Sequence, residues 1–211
     1  MNLTGDSSRA LVAATVAAVV AVVAGLAVAG CGGSSSSAPG PSGGNATDRA
    51  FAGEMVRHHM LAIQMATLAS DRSRSPDIRR LSGGIVSAQR REVATLTAVD
   101  RRLAAAGVAT GSLGIDQGMA GMDMNLAELR RAQPFDRQFI DMMVPHHRGA
   151  IRMARVELAR GQNATLRRLA ENVVSAQSRE IDEMNAMRVK RFGGPVPADG
   201  AAPAMNHSMS G

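Results

Sequence analysis

The chain has 211 residues, and its 24 Lys and Arg against 18 Asp and Glu give a formal net charge of +6 at pH 7. Trp and Tyr are absent, so the chain lacks the stacking platforms typical of single-stranded nucleic-acid binding, and we interpret the positive charge as a solvated face beside an anionic envelope. The single cysteine excludes an intramolecular disulfide and a thiolate metal site in the folded part.

Residues 1–30 have the pattern of a lipoprotein signal peptide. Residues 11–29 consist of Leu, Val and Ala with one Thr and one Gly, a run long enough for a transmembrane helix. It is followed by Gly30 and Cys31, and small residues directly before a Cys are typical of a bacterial lipobox, in which Cys31 carries palmitate or a similar lipid. The alternative is an uncleaved membrane anchor. Both interpretations predict an extracytoplasmic protein held at the cell membrane.

The remaining chain divides by composition. Residues 31–46 contain the lipidated Cys and a Gly/Ser/Pro-rich stretch that predicts a flexible tether. Residues 47–193 form one domain of ordinary size. Residues 194–211 are expected to be a disordered tail that carries Met and His.

Four segments of the domain have helical periodicity, and no segment of any length has the alternating pattern of a strand. The predicted helices cover about residues 47–69, 75–106, 133–160 and 163–192. Thr47 or Asp48 is the expected N-cap of the first helix, and Ser75 before Pro76 begins the second. Gly107 ends the second helix, and Gly161 is the expected C′ residue of the third.

One unit occurs twice in this domain, with a constant offset of 88 residues. Met55-Val56-Arg57-His58-His59 returns as Met143-Val144-Pro145-His146-His147, and Glu92 returns as Glu180. The repeats cover about residues 47–106 and 134–193, and a Met-rich connection, residues 107–133, joins them. The short turn in each repeat forces its two helices to lie antiparallel. We therefore predict an all-α, antiparallel four-helix bundle made of two repeated hairpins.

The predicted core seams include polar residues. Glu92 and Glu180 fall on the apolar stripes of the second and fourth helices, where an unpaired carboxylate is costly. Counting residues from each turn places four side chains at one height in each hairpin. The two sets are Met55, His58, Gln89 and Glu92, and Met143, His146, Gln177 and Glu180.

These side chains predict a metal site. The expected ligands are Met55, His58, His59, Met143, His146 and His147, with Gln89, Glu92, Gln177 and Glu180 orienting the imidazoles. Thioether and imidazole together favour copper, whereas zinc rarely needs Met, and a di-iron site needs Glu-x-x-His pairs that neither His pair has. The alternative is structural: a His–Glu hydrogen bond explains the carboxylates, and Met is an ordinary core residue.

Further Met and His residues lie outside the seams. We expect auxiliary metal capture from Met119, Met122, Met124, Met205, His207 and Met209. A Gly-rich connection and a disordered tail offer no core for these side chains to fill, so exposed Met there is not explained by packing. This observation moves the balance from the structural alternative towards copper.

The motif FIDMMVPHHRGAIRMA at residues 139–154, continued by Gln177-x-x-Glu180-Ile181-x-x-Met184, resembles the bacterial domain-of-unknown-function family numbered 305, within the ferritin-like helical class. The resemblance covers about residues 46–193. It implies a secreted or envelope-anchored bundle, and some members look like periplasmic copper-binding proteins. The first repeat departs from the motif, with Arg57 in place of the Pro.

We therefore expect an envelope-anchored lipoprotein that binds copper as Cu(I), with Ag(I) as a second soft ion, for sequestration or handover to a copper-donor or acceptor protein. The alternative is a metal-free helical scaffold or interaction module at the envelope. No Ser-His-Asp or Cys-His signature occurs, so an enzyme is not expected.

Overall fold

A computed structural model describes residues 43–198 of the chain. The described residues form five α-helices: α1 (Ala46–Arg72), α2 (Pro76–Ala105), α3 (Leu126–Arg131), α4 (Phe135–Arg160) and α5 (Ala164–Phe192). The four long helices confirm the all-helical prediction, and the short α3 within the connection was not predicted. No helix of this part is long and apolar enough to cross a membrane. The apolar run 11–29, Cys31, Met205, His207 and Met209 lie outside the described residues.

The helix ends confirm some predicted caps and correct others. The N-cap of α1 is Asn45, which accepts hydrogen bonds from the amides of Thr47 and Asp48, so Thr47 or Asp48 as N-cap is wrong. Ser75 caps α2 as expected. Gly161 ends α4 with φ −71°, so it is not a left-handed C′ residue. It is needed because a Cβ there would lie 2.1 Å from the Oε1 of Glu157.

The connection between the hairpins runs along α1 from one end to the other. The Gly111 amide donates to the Ala46 carbonyl at 2.9 Å, near the start of α1. Arg72, the last residue of α1, donates to the Arg130 carbonyl and stacks its guanidinium on Phe135. Because α4 therefore starts at the end where α1 stops, α1 and α4 are antiparallel, the arrangement of a ferritin-like bundle.

Two apolar clusters fill the interior, and each draws residues from all four long helices. The first packs Phe51 and Met55 against the C-terminal half of α2, the C-terminal half of α4 and the N-terminal half of α5. The second packs Ala62 and Met65 against the opposite halves of those helices, with Phe139 and Met143 from α4. Neither hairpin buries its apolar face alone, which explains why the repeats fold together.

The folded part extends beyond the predicted domain at both ends. The Gly43 carbonyl accepts from the Asn163 side chain at 3.0 Å. Val196 is buried in the second cluster, and its amide donates to Asn185. Residues 43–46, predicted as part of the tether, and residues 194–198, predicted as part of the tail, therefore belong to the folded unit.

Candidate functional site

A polar layer separates the two apolar clusters. It contains both His pairs and the amides of Gln89 and Gln177, and we call it the histidine layer. All four imidazoles are 0% exposed. His58 of α1 and His146 of α4 face each other with ring centroids 3.7 Å apart. Sequence counting predicted one set of side chains per hairpin, but the two central imidazoles form a single layer that both hairpins share.

The second histidine of each pair bonds to a glutamate. His59 Nε2 lies 2.7 Å from Glu92 Oε2, and His147 Nε2 lies 2.8 Å from Glu180 Oε2. A carboxylate only accepts, so Nε2 of both histidines carries a proton, and Nδ1 carries the lone pair when the ring is neutral. The glutamates come from the neighbouring helix of the same hairpin and keep 22% of their side-chain surface exposed, so they connect the layer to solvent.

Part of the connection covers the layer from the side of α1 and α4. We call this part, residues 116–122, the strap. The Ala120 carbonyl accepts from His58 Nε2 at 2.9 Å, which leaves Nδ1 of His58 as the lone-pair nitrogen. Arg152 Nε donates to the Met119 carbonyl at 2.6 Å. The strap approaches α4 so closely that a Cβ on Gly149 would lie 1.9 Å from the Ala120 carbonyl oxygen.

Unpartnered polar atoms are concentrated in this layer. Among the described residues, no hydrogen-bond partner exists for Nδ1 of any of the four histidines, for Nε2 of His146 or for Oε1 of Gln89 and Gln177. Buried polar atoms are nearly always satisfied in native proteins. These atoms can therefore accept a ligand, and Nδ1 of His58 carries a lone pair for it.

Burial keeps the two central imidazoles neutral. Desolvation, followed by repulsion from His59 and His147, lowers the pKa of His58 to about 3. Desolvation also lowers the pKa of His146 well below 6.5, with His58 as the next cause. A metal ion would therefore not compete with a proton for these nitrogens at neutral pH.

The predicted sulfur ligands lie on opposite sides of the layer. Met55 is fully buried in the first apolar cluster, and Met143 is fully buried in the second. Within residues 43–198, no group of three or more His, Cys, Asp or Glu side chains is arranged to hold a metal ion. An ion in the layer would therefore need a thioether, a small rearrangement of the rings, or both.

The Met-rich connection is more buried than its sequence indicates. Met119 is half exposed on the strap, whereas Met122 packs against the first cluster and Met124 against the second. The expectation that these side chains have no core to fill is therefore wrong for Met122 and Met124, because the connection lies against the bundle. Metal capture by all three stays a prediction.

A second buried polar cluster lies at the start of α1, and the sequence did not reveal it. Asp48 is fully buried and accepts from the amides of Gln162 and Asn163. Glu157 is also fully buried, and desolvation followed by its contact with Asp48 raises its pKa to about 9. Glu157 is thus protonated at neutral pH beside Asp48. The hydrogen bonds from the amides of Gln162 and Asn163 to Asp48 fix the turn between α4 and α5 to the first turn of α1.

The comparisons with known proteins agree with this architecture. DUF305, a domain of unknown function, matches residues 48–188. CopM in a Cu(I)-bound form is 28% identical, with a TM-score of 0.59 over 69% of this chain and 98% of CopM, and other CopM structures hold Cu(II) or Ag. A DUF305 protein from Streptomyces coelicolor is 25% identical, with a TM-score of 0.62 over 72% of this chain and 96% of its own.

A shorter match comes from a curated viral protein. Protein L153 of Acanthamoeba polyphaga mimivirus is 35% identical over 63 residues, which are 29% of this chain and 41% of that protein. The matched part therefore spans less than half of that relative.

Proposed function

Because the chain belongs to the DUF305 family and encloses a layer of unpartnered imidazole nitrogens, we propose that it is an extracytoplasmic metal-handling protein that binds copper in the histidine layer. The observation that carries the proposal is the concentration of lone pairs on neutral, fully buried rings from both repeats. The similarity to CopM, whose structures hold Cu(I), Cu(II) or Ag, supports copper among the metals that imidazole binds.

The ligand chemistry favours Cu(I). His58, His59, His146 and His147 would provide nitrogen, and Met55 and Met143 are the buried thioethers next to them in sequence. Thioether sulfur is a soft donor that selects Cu(I), and the related soft ion Ag(I) fits the same set. Glu92 and Glu180 would hold two of the rings through Nε2, the common role of a carboxylate behind a metal-bound histidine.

The cellular setting follows from the N-terminal sequence. We infer that Cys31 is lipidated and anchors the protein to the outer face of the cell membrane, where it stores copper or passes it to a partner protein. The Streptomyces coelicolor relative, whose name classes it with secreted proteins, supports a place outside the cytoplasm. Incorporation of labelled palmitate that is lost in Cys31→Ala would support the anchor, and equal labelling of both proteins would contradict it.

Titration with Cu(I) against a competing chelator tests the metal site. We expect His59→Gln/His147→Gln to bind at least about tenfold more weakly than the wild type, because two lone-pair nitrogens and their carboxylate contacts are lost. The control is Met60→Leu, which changes an exposed methionine of α1 outside the predicted ligands and should bind nearly as the wild type does. Circular dichroism must show that the double variant keeps its helices.

A second readout separates copper binding from a structural role. A ligand that binds only the folded state raises the unfolding temperature, so Cu(I) should raise that of the wild type more than that of the double variant. Equally weak binding, with no rise in unfolding temperature on addition of Cu(I) in either protein, would favour the metal-free scaffold instead.

A further inference from the structure

A groove with a volume of about 310 Å³ lies between α2 and α5. Two arginines, Arg91 and Arg168, belong to its lining. Glu92 also lines it, and the carboxylate of Glu92 accepts from His59. The groove is therefore lined by two arginines and by a glutamate that contacts the histidine layer.

The internal repeat provides a comparison for this groove within the same chain. With the offset of 88 residues, Arg168 corresponds to Arg80. Arg80 donates to Glu183 at 2.6 Å and lies 3.9 Å from Asp77, so its charge is neutralised by two carboxylates. These contacts raise the pKa of Arg80. The second repeat does not have this arrangement.

At the groove, Thr95 and Thr165 occupy the positions that correspond to the two carboxylates. Both threonines line the groove, together with Asn172. Within residues 43–198, neither Arg91 nor Arg168 forms an ion pair with a carboxylate, and Arg91 donates only to the hydroxyl of Ser87. The substitution of two acidic residues by threonine therefore leaves Arg168 without the ion pairs of Arg80 and adds two hydroxyl groups to the lining. Arg91, like its counterpart Arg179, donates to a serine hydroxyl and has no carboxylate partner among the described residues.

We propose that this groove binds a small polycarboxylate anion, the type of ligand that carries a metal ion as an anionic chelate. A guanidinium group matches a carboxylate with two parallel hydrogen bonds, and the groove is large enough for a small molecule. A chelate seated there would have its metal beside Glu92, one hydrogen bond from His59. This delivery role rests on copper binding in the histidine layer, whereas anion binding in the groove does not.

Calorimetric titration of the metal-free protein with citrate tests the anion site. Wild type should bind citrate, and Arg91→Ala/Arg168→Ala should bind about tenfold more weakly, as expected when about 1.4 kcal/mol of binding energy is lost. The control is Arg80→Ala/Arg179→Ala, which removes the same charge from the corresponding positions and should bind as wild type. No binding by wild type, or equal weakening in both variants, would overturn the proposal.

Stopped-flow transfer of Cu(I) tests the delivery role. The carriers are the anionic bicinchoninate chelate and the cationic acetonitrile complex. Loss of Arg91 and Arg168 should slow transfer from the anionic chelate about tenfold and leave transfer from the cationic complex unchanged or faster. Equal slowing from both carriers would contradict delivery through the groove. Citrate binding without uptake from either carrier would instead refute copper binding and leave the anion site intact.

Discussion

Replacement of Gly149 by Ala is the sharpest test of how the strap closes the histidine layer. A Cβ at this position would lie 1.9 Å from the Ala120 carbonyl oxygen and 2.9 Å from the Gly121 amide nitrogen. Both are backbone atoms, so the clash cannot be relieved by a side-chain rotation. The strap must move away from α4 by more than about 1 Å to restore normal van der Waals contact.

That movement has a calculable cost. It breaks the bond from His58 to the Ala120 carbonyl and the bond from Arg152 to the Met119 carbonyl, each worth about 1 kcal/mol net. It also leaves Nε2 of His58 buried without a partner, which costs a further 1–3 kcal/mol or so. The higher helix propensity of Ala returns about 1 kcal/mol. We expect Gly149→Ala to lower the free energy of unfolding by about 2–4 kcal/mol.

Urea unfolding monitored by circular dichroism measures this change, which should lower the midpoint by about 1–2 M. The matched control is Gly84→Ala in α2, where no heavy atom lies within 4 Å of the new Cβ. The control should gain about 1 kcal/mol from helix propensity alone. If Gly149→Ala is stabilised to the same extent as Gly84→Ala, the close approach of the strap to α4 is wrong.

Three further predictions concern buried charges. Because the pKa of Glu157 is about 9 in the folded state and 4.5 in the reference state, the folded protein holds a proton that the unfolded chain releases, and stability falls as pH rises through this window. Glu157→Gln should lose this slope, at most about 1.4 kcal/mol per pH unit, and urea titrations at several pH values would show whether it does. Burial lowers the pKa values of His58 and His146, so stability should also fall as pH drops below 6.5, and an unchanged acid slope in His146→Gln would contradict this. Arg188→Met should cost about 2 kcal/mol by leaving the half-buried carboxylate of Asp141 with only its longer ion pair to Arg137, and thermal unfolding close to that of wild type would refute it.

The sequence predicted most of the fold because its signals are local and repeated. Helical periodicity, the Ser75-Pro76 start and Gly107 define where the long helices lie, and the constant offset pairs them into hairpins. The cap of α1 was misplaced because Asp48 is itself a good N-cap residue. In the structure Asp48 instead takes the third position of a capping box behind Asn45.

Glu92 and Glu180 contact imidazoles as predicted, but residue counting misplaced the height of each contact by about one helical turn. Residue counting placed Glu92 level with Met55, but its carboxylate bonds to His59. Side chains tilt towards the N-terminus of their own helix, and the two helices are antiparallel, so these side chains tilt towards each other and meet between their Cα heights. Counting Cα positions cannot include this tilt.

The strap and the buried acid pair were not predicted from the sequence, for a different reason. Both depend on contacts between distant segments, such as Ala120 with Gly149 and Asp48 with Glu157. A glycine in the middle of α4 and another at Gly121 were the available signals. A mid-helix glycine alone does not identify the segment that approaches it.

The division of the core into two apolar clusters has a consequence for how such a chain could arise. A single hairpin would expose its share of both clusters, and it could cover them only by pairing with a second copy of itself, with the central imidazoles facing each other across the twofold axis. Once the two copies are joined in one chain, the sequence of each half can change independently of the other. Thr95 and Thr165 stand where the other repeat has Glu183 and Asp77. A symmetric dimer could not have this difference, because every substitution would be present in both of its copies.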